Sequence, residues 1–207
     1  MTMSAATHDV PTSAPVSEPA ALPAEARRRP LPDAMSTRDA LAHYLTENGF
    51  DTKAYTEPTF EVEVFGRHYV FKNTPNRQWA IPLHDLHHVA TGYGTDLVGE
   101  AEIGVWELMG GCRTPIVYAL NIVAVLFGVF LAPLRILRAA RDARGARALY
   151  RLGYTYEDLL ALPLGELRRR LGTPAGGAAR TPRRLHDDAE RKQAAAHPGK
   201  FAPRGKT

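Results

Sequence analysis

One cysteine, Cys112, is all that the 207 residues contain, which excludes a disulfide framework and fits a reducing compartment. It stands in Gly-Gly-Cys-Arg with no cysteine partner, so it reads as a small buried or loop residue rather than a metal ligand. No apolar run precedes a cleavage site, so no signal peptide is expected. No internal repeat is evident. Aromatic residues, 8% of the chain, do not interleave with the arginines and no recognition motif is present, so nucleic acid is not expected as a partner. Large apolar side chains are scarce in residues 1–34, a stretch of Ala, Pro, Ser and Thr that cannot bury enough surface to offset ordering. Arg27, Arg28 and Arg29 hint at a targeting segment, but Asp9, Glu18 and Glu25 argue against a transit peptide. From Thr173 on, Gly, Ala, Pro and Arg dominate. The expected organisation is a disordered tail at 1–34, one domain at 35–173 and a disordered basic tail at 174–207.

What is present between the tails is mainly helical. The apolar fraction of 44% is enough for a core. Ser36 or Thr37 can cap a helix ending at Asn48 before Gly49, with Ala40, Leu41, Tyr44 and Leu45 as its stripe. Glu61 to Phe71 alternates on both sides of Gly66, which predicts a short β hairpin or one bent ribbon. His68 lies within it as a surface or packing histidine, and Asn73–Arg77 reads as a loop leading to a core Trp79. Tyr154 to Gly172 reads as a closing helix-turn-helix, punctuated by Pro163. The fold class is therefore a mainly α bundle with a short β hairpin near the N-terminus.

The densest chemistry lies in Pro82 to Glu100, where His84, His87 and His88 fall within five residues. Pro82 suits a first helical turn and Gly92 a left-handed C-terminal cap. At about 100° per residue, His84, Asp85 and His88 share one arc about 100° wide. His87 points along the apolar side. Two imidazoles one turn apart beside a carboxylate suit a borderline divalent metal, zinc first. Thr95 or Asp96 can cap a second helix that presents Glu100 as a further ligand. In that helix Glu100, Gly104 and Glu107 share a face, with Gly104 expected where the histidine helix comes close.

The same letters fit other chemistry. His-Asp-x-x-His is one methylene from the His-Glu-x-x-His of metalloproteases, though Asp85 is shorter and no third histidine follows. His84, His87 and His88 also spell a fragment of di-iron histidine boxes, which would need further boxes; the other histidines are scattered singly. A helix with solvated or hydrogen-bonded histidines is the bland alternative.

The spacing His-Asp-x-x-His, eleven residues, then Glu, with its flanking Thr-Gly-Tyr-Gly-Thr-Asp-Leu-Val-Gly-Glu, resembles the fourth of the coenzyme Q (ubiquinone) biosynthesis proteins. The closing Leu-and-Arg helix is similar to the end of that family too, so the resemblance spans roughly 35–173. It implies zinc bound by His84, Asp85, His88 and Glu100. It also implies a role in the C1 decarboxylation and hydroxylation of a polyprenylated quinone-ring precursor, or in organising the biosynthetic complex.

Thr114 to Leu134 is 21 residues without a charge, long enough for a spanning helix of about 20 residues. Asn121 near its middle and the bracketing Pro115 and Pro133 temper that reading. The alternatives are a buried bundle centre and a helix lining a lipid groove. For the groove, the expected lipid-binding residues are Val117, Leu120, Ala124, Phe127, Gly128 and Leu131, with Gly128 as an indentation through which a chain could pass. Then come Arg135, Arg138, Arg141, Arg144 and Arg147, each three residues on, and Arg151. Residues 135–207 hold 17 basic and 7 acidic side chains, a net of +10, against 9 and 15 in residues 1–134, a net of −6. A basic ladder abutting an apolar segment is the pattern of a membrane-surface anchor, here Arg135, Arg138 and Arg141 on anionic headgroups.

Together these imply a zinc-binding protein peripheral to the cytoplasmic face of a membrane, with a single span as alternative. Its expected partners are a polyprenylated quinone precursor, lipid headgroups, other quinone-biosynthesis proteins and a second copy of itself. As an enzyme it would be a metal-dependent decarboxylase of a polyprenyl benzoate-type precursor. The other classes are a scaffold or prenyl-lipid-binding module with a structural zinc, and a membrane-embedded metal hydrolase with Glu107 as base.

Overall fold

The computed structural model describes residues 30–64 and 67–179. Among them are seven α-helices and one two-stranded antiparallel sheet. Helix α1, Thr37–Asn48, starts where Ser36 accepts the Asp39 N–H and stops at Gly49, whose φ of 66° suits a residue without Cβ. A 3-10 turn, Thr52–Tyr55, leads to strands β1, Thr59–Val64, and β2, Arg67–Lys72, paired from Thr59 opposite Lys72 to Val64 opposite Arg67. Residues 65–66 lie outside the described residues, as do 1–29 and 180–207.

Helix α2, Pro75–Thr91, begins a full two turns before the expected start. Thr74 caps it by accepting the Arg77 N–H, and Pro75 is the proline of its first turn. The segment expected as a loop, 73–77, is thus the helix entrance, and Pro82 sits inside the helix. Helix α3, Leu97–Gly110, follows the Gly92 cap, with Asp96 accepting from Val98 and Gly99 N–H. A Cβ on Gly99 would overlap the Gly94 backbone, so these two glycines let the link fold tightly over the first turn of α3.

Helix α4, Pro115–Leu131, packs along α3, and helix α5, Pro133–Asp142, turns back over both. Gly104 opens α3 towards α4, not towards the histidine helix: its missing Cβ would stand 3.2 Å from the Asn121 carbonyl and 3.4 Å from Val125 Cγ2. Helices α6, Tyr156–Leu160, and α7, Leu164–Leu171, close the fold. Leu164 N–H donates to the Met35 carbonyl and Thr37 N–H to Leu162, tying this end to α1. The core runs between α1, α2, α3, α6 and α7 through Leu41, Leu86, Ile103, Trp106, Leu160 and Leu167.

Packing extends to residues on both sides of 35–173. Leu31 and Ala178 are both buried in the core, and Ala178 and Ala179 N–H both donate to the Thr91 carbonyl at the end of α2. The fully buried Arg168 holds the two ends: its Nε donates to the Ala90 carbonyl, and its terminal nitrogen donates to Leu31 O and to Asp33 Oδ1.

Candidate metal centre

Helix α2 carries His84 and His88 one turn apart, and the Gly92 turn swings α3 round so that Glu100 faces them. Their ligand atoms converge within 4.8 Å of one another. His84 Nε2 and His88 Nε2 are 3.1 Å apart, and the two stand 3.4 and 3.5 Å from the oxygens of Glu100. Ligands at 2.0–2.1 Å from a tetrahedral zinc stand about 3.3–3.4 Å from each other. The three edges match that spacing.

Tautomers follow from the far side of each ring. His88 Nδ1 lies 3.1 Å from the Tyr93 carbonyl, which can only accept, so Nδ1 carries the hydrogen. His84 Nδ1 lies 2.8 Å from Glu107 Oε1 and donates to it in the same way. In the neutral rings both Nε2 atoms are then bare acceptors, and they face each other and a carboxylate. With both rings neutral, three acceptors round one point suit a cation. The rings are also braced for it: metal-bound histidines donate their second N–H to a carboxylate or carbonyl.

Asp85, expected in the same set, is not among the converging three. Its buried carboxylate accepts the Tyr55 hydroxyl at 2.5 Å and the Tyr44 hydroxyl at 3.4 Å. Burial raises the Asp85 pKa, against the opposing pull of the Tyr55 hydrogen bond and of His84 and His88. Burial and the adjacent Asp85 charge push both tyrosines far above their ordinary range, so they remain O–H donors. Tyr44 also stacks on the His88 ring, with centroids 5.6 Å apart.

Glu107, expected on a shared face with Glu100 and, in the hydrolase reading, as a base, is the hub. Glu107 is fully buried, and its Oε1 takes His84 Nδ1, His87 Nδ1 at 2.6 Å and the Tyr150 hydroxyl at 2.9 Å. Its Oε2 takes Asn121 Nδ2 at 2.7 Å. Burial works against this charge, but the His84 and His87 contacts prevail and hold the carboxyl well below the usual range. His87, on the apolar side as expected, is fully buried and accepts the Leu149 N–H on Nε2 at 2.9 Å. Burial lowers its pKa, so it is a neutral donor to Glu107. On His84 burial opposes charge, but Glu107 and Glu100 beside it raise the pKa well above the ordinary value. Cys112 is buried, with its thiol near the Glu107 carbonyl.

Helix α4 is neither a bundle centre nor a span. Only Val117, Asn121 and Gly128 of its 17 residues are buried. No helix among the described residues is long and apolar enough to cross a membrane. Of the six residues expected to meet lipid, Leu120, Phe127 and Leu131 are exposed and share the open surface with Leu126 and with Phe130, 92% exposed. Val117 and Gly128 turn inward and Ala124 is half-buried. The indentation at Gly128 is filled by the protein itself, with Ala101 of α3 and Ile136 of α5 against it.

The arginine ladder also divides. Arg138 and Arg141 are exposed beside the exposed Leu134 and Leu137, whereas Arg135 is engaged with the buried Glu102. Helix α5 ends at Asp142, so Arg144 and Arg147 lie beyond it and do not extend its basic face. Compared with known proteins, no family model matches the chain. No curated protein matches it either.

Proposed function

We propose that the chain is a zinc-binding, membrane-associated protein of ubiquinone biosynthesis that acts on, or presents, a polyprenylated quinone-ring precursor. The observation that carries this reading is the convergence of His84, His88 and Glu100, at the spacing of the motif resemblance, in a molecule that also exposes the apolar face of α4. The geometry supports a His/Glu cluster able to hold a metal ion; the ligand types and the resemblance both favour zinc, and the quinone pathway comes from the resemblance alone.

Bound there, zinc would supply Lewis acidity towards a ring carboxylate or phenolate. His84, His88 and Glu100 hold the ion from one side. While Asp85 keeps its two tyrosines, three protein ligands leave a fourth position for a ligand oxygen, the arrangement of catalytic rather than structural zinc sites. Tyr44 and Tyr55 keep their hydroxyl protons and fix Asp85. This favours a reactive site, with C1 decarboxylation of a polyprenyl benzoate-type ring as the candidate reaction. The prenyl chain, or the membrane that carries it, would lie on the exposed Leu120, Phe127 and Leu131, with Arg138 and Arg141 at the headgroups.

The test is elemental analysis and lipid mass spectrometry on the purified protein, followed by incubation of the zinc-loaded form with a polyprenyl hydroxybenzoate in vesicles. One zinc per chain, co-purified prenyl lipid and release of carbon dioxide are expected. One zinc with no turnover supports the scaffold reading instead, and a protein that takes up no divalent metal overturns both.

A further inference from the structure

Asn121 is the anomaly of α4. It is the buried polar side chain of an otherwise apolar 17-residue helix, and its amide donates inward to Glu107. Glu107 is an anomaly of the same kind. Burying a carboxylate costs several kcal/mol unless donors surround it, and four surround this one. Three of the four, His87, Tyr150 and Asn121, are themselves buried. His84 alone among them reaches out of the core, with 26% of its side chain exposed and its Nε2 at the converging point. The buried charge therefore has one outlet, and that outlet is a metal-ligand candidate.

We infer that Glu107 is the positioning residue of the metal centre, fixing the ring plane and tautomer of His84, and that Asn121 holds Glu107 in place from α4. This rests on the metal reading given above and deepens it. Two consequences follow from the geometry. His84 must present Nε2, because a carboxylate fully occupied by donors at 2.6–2.9 Å cannot turn away from Nδ1. Glu107 also adds a second carboxylate to that of Glu100, so the two together balance a divalent ion without a charge from Asp85.

Outer partners of this kind change metal affinity by about 10–100-fold when removed. The experiment measures zinc affinity by chelator competition, and the visible spectrum of the cobalt(II) form, for the wild-type chain, Glu107→Gln, Asn121→Leu and Tyr150→Phe. Near-ultraviolet circular dichroism and thermal melts check the fold of each. Glu107→Gln should bind zinc 10–100-fold more weakly with a shifted cobalt spectrum. Asn121→Leu should weaken it in the same direction, and the Asn121→Asp variant should not rescue it, because a second carboxylate repels Glu107. Tyr150→Phe leaves the other three donors in place and should lower thermal stability more than affinity. If folded Glu107→Gln or Asn121→Leu binds zinc as the wild type does, the inference is overturned. Nitrogen-15 histidine spectra of the zinc-loaded wild type decide the matter if the variants do not fold: zinc on His84 Nε2 with Nδ1 protonated supports the inference, and zinc on Nδ1 overturns it. A wild-type chain that binds neither metal ends the underlying metal reading instead, so the two failures are distinct.

Discussion

Arg135 grips Glu102 with two parallel hydrogen bonds, Nε to Oε1 at 2.9 Å and a terminal nitrogen to Oε2 at 2.6 Å, and so joins α5 to α3. A paired arginine facing a buried acid is structural. Arg138 and Arg141 are exposed, and on the proposed reading they meet headgroups. Replacing Arg135 by Gln should lower stability by about 2–4 kcal/mol by leaving Glu102 buried and unpaired. The Arg138→Gln, Arg141→Gln double variant should melt like the wild type yet bind anionic vesicles more weakly, with added salt having less effect. Vesicle sedimentation across a salt series checks this. Unchanged binding in the double variant would remove the headgroup assignment.

Metal content should separate the three neighbouring histidines. His84→Ala, His88→Ala and Glu100→Ala each delete one of the converging atoms and should lose the ion. His87→Ala should instead cost stability, about 2–4 kcal/mol, because it opens a cavity and strands the Leu149 N–H and one contact of Glu107. Denaturant unfolding beside elemental analysis gives both readings. Metal loss in folded His87→Ala greater than in His84→Ala would reverse the assignment.

Gly128 tests the packing of α4. Even one methyl there would overlap the Ala101 Cβ and stand 2.8 Å from Ile136 Cδ1. Gly128→Ala should therefore destabilise by about 1–3 kcal/mol, as overpacking does. A Trp at this position would disrupt the fold rather than block a lipid passage. A melt of Gly128→Ala indistinguishable from wild type would show that α4 can lift off α3.

Acid should act on the Arg168 clasp. The hydrogen bond from the Arg168 guanidinium, against a smaller effect of burial, holds the Asp33 carboxyl below its ordinary value. A carboxyl with a depressed folded pKa adds stability above its unfolded value of about 3.9 and loses it as pH falls through the folded value. The stability difference between the wild type and Asp33→Asn should therefore be full at pH 6–7 and shrink below about pH 4. Urea unfolding over that range measures it; a difference independent of pH would count against the clasp.

Local signals were legible in the sequence, and long-range ones were not. The ends of α1, at Ser36 and Gly49, the Asp96 cap of α3 and the prolines that bracket α4, Pro115 and Pro133, follow from side chains that act within one turn. The meeting of His84 with His88 is a matter of helical period, and Glu100 needed only a tight glycine turn. The start of α2 was misplaced because Pro75 and Pro82 offer the same first-turn signal. Thr74 as a cap decides for the earlier one, and the later proline merely leaves one helical hydrogen bond unmade. Glu107 as hub was out of reach: its partners lie 14, 20, 23 and 43 residues away, a convergence that periodicity cannot express. The same holds for Tyr44 and Tyr55, which come to Asp85 from 41 and 30 residues away. One signal was available, a lone amide inside an apolar helix. Asn121 tempered the reading of a membrane span, but its partner was not in view.

Both ends of the described chain arrive at the same place. Gly176 N–H donates to Asp33 Oδ1, and a Cβ on Gly176 would stand 3.9 Å from Pro30. The fold is therefore nearly a closed ring in sequence as well as in space. A short linker from residue 179 back to residue 30 would bridge two stretches of chain that already touch, and new termini could be opened between β1 and β2, outside the segments that carry His84, His88 and Glu100. A permuted chain of that kind would keep the His84, His88 and Glu100 cluster while carrying any fused label between β1 and β2.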